Sequence, residues 1–285
     1  MMKVKATVHG AISIVNAIAT GKGATLGTSL KVEALLESQK GKGITIYSEK
    51  NENISSKLIN KTVEKIVPKK ELERTKLWIN LTSQVPTGYG LKSSSAISTS
   101  VALACSKIFN PSISDKKILL AGVEASIETK VSITGAYDDA CACYYGGFNV
   151  TDNYKKKIIH SENAPNDLIA VIFIPRSRHR GNVRKLHLLR SIFEQAWNLA
   201  KRSEYWDAMT LNGLATSAIL SSHPKILSEL LDNGALAASI SGNGPAIAAV
   251  SKKENITKMK NVFDSYDGNI LTSKINNSKA EVHEL

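Results

Sequence analysis

Hydrophobic and polar side chains alternate over residues 3–8, with Val4, Ala6 and Val8 on one side, which predicts a strand with one buried face. The apolar stretch 11–19 that follows reads as a short helix or a turn-rich segment, and Gly21-Lys22-Gly23 ends it. Residues 30–36 and 43–47 read as further strands joined by the turn-like Lys40-Gly41-Lys42. Over 53–66 the spacing becomes helical, with Ile54, Leu58, Ile59, Val63 and Ile66 on one side. Residues 77–81 form a strand that runs into Gln84-Val85-Pro86.

A loop rich in Gly and Ser, 87–95, comes next, and a long apolar stretch, 96–109, follows it. Strand, loop and helix in that order suit phosphate binding. Helices are predicted at about 115–130, 183–201 and 206–220, and strands at 169–174, 235–241 and 247–250. The polar C-terminal end is expected to fray. Strands and helices mix without regular alternation, which argues for an α+β fold rather than a doubly wound sheet. The polar stretch 151–157 is the best boundary between two halves, 1–155 and 156–285.

Composition narrows the classes. No apolar run approaches the roughly 20 residues of a membrane helix. Lys3 and Lys5 before the run 11–19 resemble a secretory leader, but Ser13 and Asn16 interrupt it, and a strand leading into a helix fits better. The three cysteines, Cys105, Cys141 and Cys143, are odd in number and lack Cys-x-x-Cys spacing. They read as small buried hydrophobes in a reducing cytoplasm. The net charge is +12, yet aromatics are only 6% and no nucleic-acid motif occurs. A basic surface and an anionic small-molecule substrate with nucleotide phosphates account for the charge more simply.

Three segments carry candidate chemistry. In Pro86-Thr-Gly88-Tyr-Gly90-Leu91-Lys92-Ser93-Ser94-Ser95-Ala96 the glycines let backbone N–H groups approach phosphate oxygens, and the serines can cap the next helix or contact a metal ion. A plain Gly/Ser turn with a serine N-cap is the other reading. The chain has no Gly-x-x-x-x-Gly-Lys-Ser/Thr loop. Asp138 and Asp139 precede a small, apolar stretch, where carboxylates tend to be paired, metal-bound or catalytic. Glu124 and Glu128 share a helix face, with a solvated face as the alternative. Ser239-Ile-Ser241-Gly242-Asn243-Gly244-Pro245 is by itself a strand-to-turn junction.

Together the segments resemble the GHMP kinases, which carry a central Pro-x-x-x-Gly-Leu-x-Ser-Ser-x-Ala phosphate loop and a late Ser-Gly-x-Gly-Pro loop. Pro86 to Ala96 and Ser241 to Pro245 match these in the family's order, and the resemblance spans the chain. It implies a two-lobed fold with mixed and antiparallel sheets, and it implies ATP and Mg²⁺. It also implies that Ser93 and Ser94 lie near phosphates and Mg²⁺, that Glu128 is the acidic metal ligand, and that Asp139 is the catalytic base. Asp138 takes the base's place if the register slips by one. Gly242 and Gly244 would lie beside the phosphates and the substrate.

Many members have Gly where Lys92 stands. The strings Gly90-Leu-Lys-Ser-Ser-Ser-Ala96, Asp138-Asp139-Ala140 and Ser13-x-x-Asn16-Ala17-x-x-x-Gly21-Lys22-Gly23 look like the archaeal shikimate kinases. That resemblance implies phosphorylation of the 3-hydroxyl of shikimate, with homoserine as the rival acceptor. An idle binding protein of the same fold is the alternative outside catalysis. Arg176, Arg178 and Arg180 follow a strand and are candidates to hold the substrate carboxylate, Arg178 foremost, or they are exposed arginines on a turn. Ser13 and Asn16 are candidate hydroxyl contacts. The expected partners are ATP and the small acceptor, with no nucleic acid and no membrane; a homodimer is left open.

Overall fold

In chain order the elements are β1 (Met2–Val15), β2 (Lys22–Lys40), β3 (Gly43–Ser48), α1 (Ser56–Ile66), α2 (Lys69–Leu72), β4 (Thr75–Ser83), α3 (Ser93–Phe109), α4 (Asp115–Glu128) and α5 (Tyr137–Tyr145). There follow β5 (Phe148–Asp152), β6 (Lys157–Glu162), β7 (Leu168–Pro175), α6 (Arg190–Lys201), α7 (Tyr205–Leu220), α8 (Pro224–Asp232), β8 (Ala237–Ile240), β9 (Ile247–Lys252), α9 (Ile256–Val262), β10 (Gly268–Lys274) and β11 (Glu281–Glu284). The computed structural model describes residues 2–48, 54–179, 181–220, 222 and 224–285. Residue 53, where the first helical pattern was expected to begin, and Arg180 lie outside the described residues.

The pair β1–β2 organises the chain. The two strands run antiparallel, and the alternating positions Val4, Ala6, Val8, Val32, Ala34 and Leu36 are all buried. Residues 11–15 continue β1 instead of turning into a helix. Ala11, Ile12, Ser13, Ile14 and Val15 are buried in succession, so both faces of the strand are covered. Such a strand carries the same unbroken apolar run as a buried helix. Only residues 17–20 form the turn that the pattern also allowed. Burial passes from one face to two at a bulge between His9 and Ala11. A Cβ on Gly10 there would lie 2.8 Å from Val85 Cγ2, so the close approach needs a glycine.

Seven strands form the first sheet, in the order β11-β1-β2-β4-β3, with β5 and β6 branching from the first part of β2. β4 lies between β2 and β3 in the sheet, so Lys40-Gly41-Lys42 joins two strands that do not pair with each other. The polar stretch 151–157 joins β5 to β6, and the expected division at residues 155 and 156 falls inside this antiparallel pair. The polar C-terminus does not fray. β11 pairs with the edge of β1, placing Val4 opposite Glu284 and Thr7 opposite Glu281. A second, antiparallel sheet of four strands has the order β10-β7-β9-β8.

Helices α3 and α5 lie on β1 and β2, with α1 and α4 packed against α3. α3 is buried almost all round, which its small Ser, Thr and Ala residues permit. A Cβ on Gly122 of α4 would come within 2.7 Å of Ser98 Oγ. Helix α7 touches both β8 and β1 and so joins the two sheets, while α8 packs on β8 and α9 on β7. The helix expected over 183–201 is a 3₁₀ segment, Val183–Leu189, followed by α6.

Candidate active site

The loop leaving β4 reaches α3 through Gly88 and Gly90, both with positive φ (+86° and +83°). Lys92, the last residue before the helix, also has positive φ (+68°), which costs a non-glycine residue about 1–2 kcal/mol. At Gly90 a Cβ would collide with the Ser241 carbonyl oxygen, so only glycine lets the late loop sit this close. The Ser241 hydroxyl donates to the Gly90 carbonyl (2.9 Å), and the Ala246 N–H donates to the Tyr89 carbonyl (3.2 Å).

The end of β1 fastens the late loop from the other side. Ser13 Oγ accepts from the Gly242 N–H (2.9 Å), and Asn16 Nδ2 donates to the Gly242 carbonyl (2.7 Å). Asn16 Oδ1 accepts from the Ile18 N–H (2.9 Å), so both ends of its amide are engaged within the protein.

Between these segments is a cavity of about 250 Å³. Ser13, Asn16, Gly88, Gly90, Lys92, Ser93, Ser94, Ser95, Asp138, Asp139 and Gly242 all line it. Ser93, Ser94 and Ser95 form the first turn of α3, whose N–H groups lack intrahelical partners and whose dipole presents its positive end. The glycine- and serine-rich segment therefore faces the acidic pair across the cavity, and the N-terminus of α3 offers the N–H groups and positive dipole end that suit an anion.

The two aspartates occupy different environments. Asp139 Oδ1 lies 3.0 Å from Lys92 Nζ, and the same ammonium donates to Ser13 Oγ (2.7 Å). Asp138 is buried. Its Oδ1 accepts from Asn153 Nδ2 (2.7 Å), and its Oδ2 lies against Gly23, where a Cβ would collide with it. Burial first, and the charge of Asp139 second, push the Asp138 carboxyl up to about 7, against the pull of Lys92 and the Asn153 hydrogen bond. Asp139 is thus the carboxylate available to a ligand, and Asp138 is its clamped neighbour.

Other expected residues lie elsewhere. Glu128 does not line the cavity. It ion-pairs with Lys65 (2.5 Å) and Lys61 (3.5 Å) on α1, because α4 turns its Glu124–Glu128 face toward that helix. The structure thus places the expected metal ligand against α1 and not on the cavity wall. Ser126, one half-turn earlier on α4, lines the cavity instead. Arg178 is exposed outside the cavity lining, with Nε donating to the Tyr89 hydroxyl (3.3 Å) and its guanidinium over the Tyr89 ring. Arg176 pairs with Asp267 at the surface. Leu91 and Ala96 belong to the apolar core, Pro86 is not among the lining residues, and Gly244 lines a neighbouring cavity with Phe173 and Tyr266.

Reading the sequence missed Ile18, Ser126, Val131, Ile133 and Thr134, all on the cavity wall. Closeness in the chain to the Asp138-Asp139 pair was the one signal for the 131–134 stretch. It also missed Asn153, hidden in a stretch read as a polar boundary. Among the described residues, no three His, Cys, Asp or Glu side chains converge into a metal cluster. No helix is long and apolar enough to cross a membrane among them.

Comparison with known proteins places the chain in a family. The model of the GHMP kinases N terminal domain matches residues 57–147, and that of the GHMP kinases C terminal matches 207–266. The chain is 36% identical to a protein named shikimate kinase from Methanosarcina acetivorans, covering 96% of this chain and 95% of that one. It is 31% identical to a protein of the same name from Methanothermobacter thermautotrophicus, covering 100% of both. Among solved structures it is similar to a homoserine kinase from Cytophaga hutchinsonii (TM-score 0.76, 19% identity, 99% and 97% covered). It is also similar to the mevalonate kinase of Methanococcus jannaschii (TM-score 0.74, 14% identity, 96% and 98% covered). At these identities the structural likeness is one of fold alone.

Proposed function

Because the chain belongs to the GHMP kinases, we propose that it transfers the γ-phosphoryl group of ATP to the 3-hydroxyl of shikimate, yielding shikimate 3-phosphate and ADP. Phosphoryl transfer rests on one observation: Asp139, paired with Lys92, faces the serine-rich N-terminus of α3 across a single cavity. The acceptor rests on full-length relatives named shikimate kinase at 31–36% identity.

The N-terminus of α3 and the backbone of the loop at Gly88 and Gly90 bind the nucleotide phosphates. Asp139 accepts the proton of the acceptor hydroxyl as that oxygen bonds to the γ-phosphorus and the bond to the ADP oxygen breaks. Lys92 holds Asp139 in place and puts a positive charge beside the transferring group. A Mg²⁺ ion carried by the nucleotide would neutralise charge on the phosphate oxygens. Such an ion takes one or two protein oxygens and draws its other ligands from phosphate and water, a demand that Ser94 on the cavity wall fits.

The substrates are ATP and a small carboxylate, with no part for nucleic acid or membrane. The three buried, unpaired thiols suit a reducing cytoplasm.

The test is a coupled ADP-release assay with shikimate, homoserine and mevalonate in parallel, followed by ³¹P–¹H correlation on the product. Shikimate should turn over, with phosphorus coupled to the proton on carbon 3. Turnover of homoserine or mevalonate without shikimate overturns the acceptor and leaves the kinase class standing.

A further inference from the structure

α5 begins without a cap of its own. Its N-cap residue is Ala136, in the left-handed region (φ +52°), and no side chain of the preceding turn reaches the first-turn N–H groups. The cap comes instead from Asn153, just beyond the end of β5. Its Oδ1 accepts from the Asp138 N–H (3.0 Å) and from the Thr151 hydroxyl (2.7 Å). Its Nδ2 donates to Asp138 Oδ1 (2.7 Å) and to Thr134 Oγ1 (3.3 Å). Its backbone N–H donates to the Gly21 carbonyl (2.8 Å).

Asn153 is 2% exposed and does not line the cavity, so it touches no substrate. All the hydrogen-bonding capacity of its amide is spent within the protein. The chemistry of the position calls for an amide. Aspartate would set a third carboxylate against Asp138, and serine offers no second arm.

We propose that Asn153 is a positioning residue for phosphoryl transfer: by capping α5 from outside the helix and gripping Asp138, it fixes the next residue, Asp139, against Lys92. The inference rests on the kinase reading for its chemistry. Its consequence is that the base is held by a hydrogen-bonded bracket running from β5 through Asp138, with Thr134 tying the bracket to the cavity wall.

The test measures Asn153→Ala and the milder Thr151→Val, which removes only the hydroxyl that steadies Asn153. Turnover is measured with whichever of the three acceptors the wild type uses, so a wrong acceptor does not affect the outcome. Asn153→Ala should lower kcat about 10- to 100-fold while KM for ATP stays within about twofold, since misplacement by about 1 Å carries costs of that size. Thr151→Val should lower kcat by a smaller factor in the same direction. In an Asp139→Asn background, Asn153→Ala should add little, because both act through one carboxylate.

Hydrogen exchange supplies a readout free of substrate: the Asp138 amide should lose protection in Asn153→Ala while the amides of β1 keep theirs. Unchanged kcat in both variants overturns the proposal, as does full additivity with Asp139→Asn. Unchanged protection at the Asp138 amide overturns it even without any turnover. If Asn153→Ala does not fold, Thr151→Val decides on the same criteria.

Discussion

Lys92 Nζ and Asp139 Oδ1 lie 3.0 Å apart, one from the loop before α3 and the other from the first turn of α5. The pair joins the glycine- and serine-rich loop to the carboxylate proposed as proton acceptor. It also gives the lysine a purpose at a backbone position that glycine would fill without strain. Lys92 is buried, so its charge needs the partners it has in Asp139 and Ser13.

Asp139→Asn keeps the shape of the side chain and removes the charge. Steady-state kinetics should show kcat lower by about 10²–10⁴-fold, toward the smaller end because a loose phosphoryl-transfer transition state needs little early proton removal. KM for ATP should hardly change. A near wild-type kcat would rule out Asp139 as the base.

Asp138→Asn should cost far less activity than Asp139→Asn and should change how stability responds to pH. The folded carboxyl titrates at about 7 against 3.8 for the free group, so between those values the folded chain holds a proton that the unfolded chain has lost. The stabilising contribution is complete below the lower value and is lost as pH rises through the upper one. The Tm of Asp138→Asn relative to wild type should therefore climb between about pH 4 and pH 7 and level off above that. A pH-independent difference would mean that the buried carboxyl is ionised throughout.

Lys92→Met removes the ammonium and retains the apolar stem. kcat should fall by about two orders of magnitude, the usual cost of losing one preorganised charge or donor at developing negative charge. Lys92→Arg should not restore activity, because the larger guanidinium must fit a space in which Nζ already lies between Ser13 and Asp139. Full activity in either variant would limit Lys92 to a structural role.

Ser94→Ala and Glu128→Ala separate two assignments. Loss of the Ser94 hydroxyl should raise the Mg²⁺ concentration needed for half-maximal rate, with partial rescue at high Mg²⁺. Glu128→Ala should leave the Mg²⁺ dependence unchanged, since Glu128 is paired with lysines of α1 away from the cavity. A Mg²⁺-dependent defect in Glu128→Ala would return it to the site.

By itself the sequence determined the elements with a clear period and the segments with unusual composition. One-faced alternation marked β4 and the first part of β1, helical spacing marked α1, and the glycine and serine run announced the phosphate loop. The acidic doublet was legible because adjacent carboxylates before a small, apolar stretch are unusual for a solvated surface, whereas the late Gly242–Pro245 loop was legible only through its match to the family's motif. These local signals sufficed for the family and for most of the residues that line the cavity.

Tertiary structure alone decided the rest. Whether residues 11–15 were helix or strand depended on both faces of β1 being covered, which a run of apolar residues does not reveal. The C-terminal end became a strand because the edge of β1 offered unpaired backbone groups, a partner far away in the chain. The family resemblance implied Glu128 beside a metal, but the rotation of α4 turned it to the lysines of α1 and Ser126 to the cavity. Asp138 and Asp139 are neighbours of identical chemistry, and only burial, Asn153 on one and Lys92 on the other, makes them different. Period and composition record the demands of nearby backbone, whereas the environment of a charge is set by whatever distant segments fold against it.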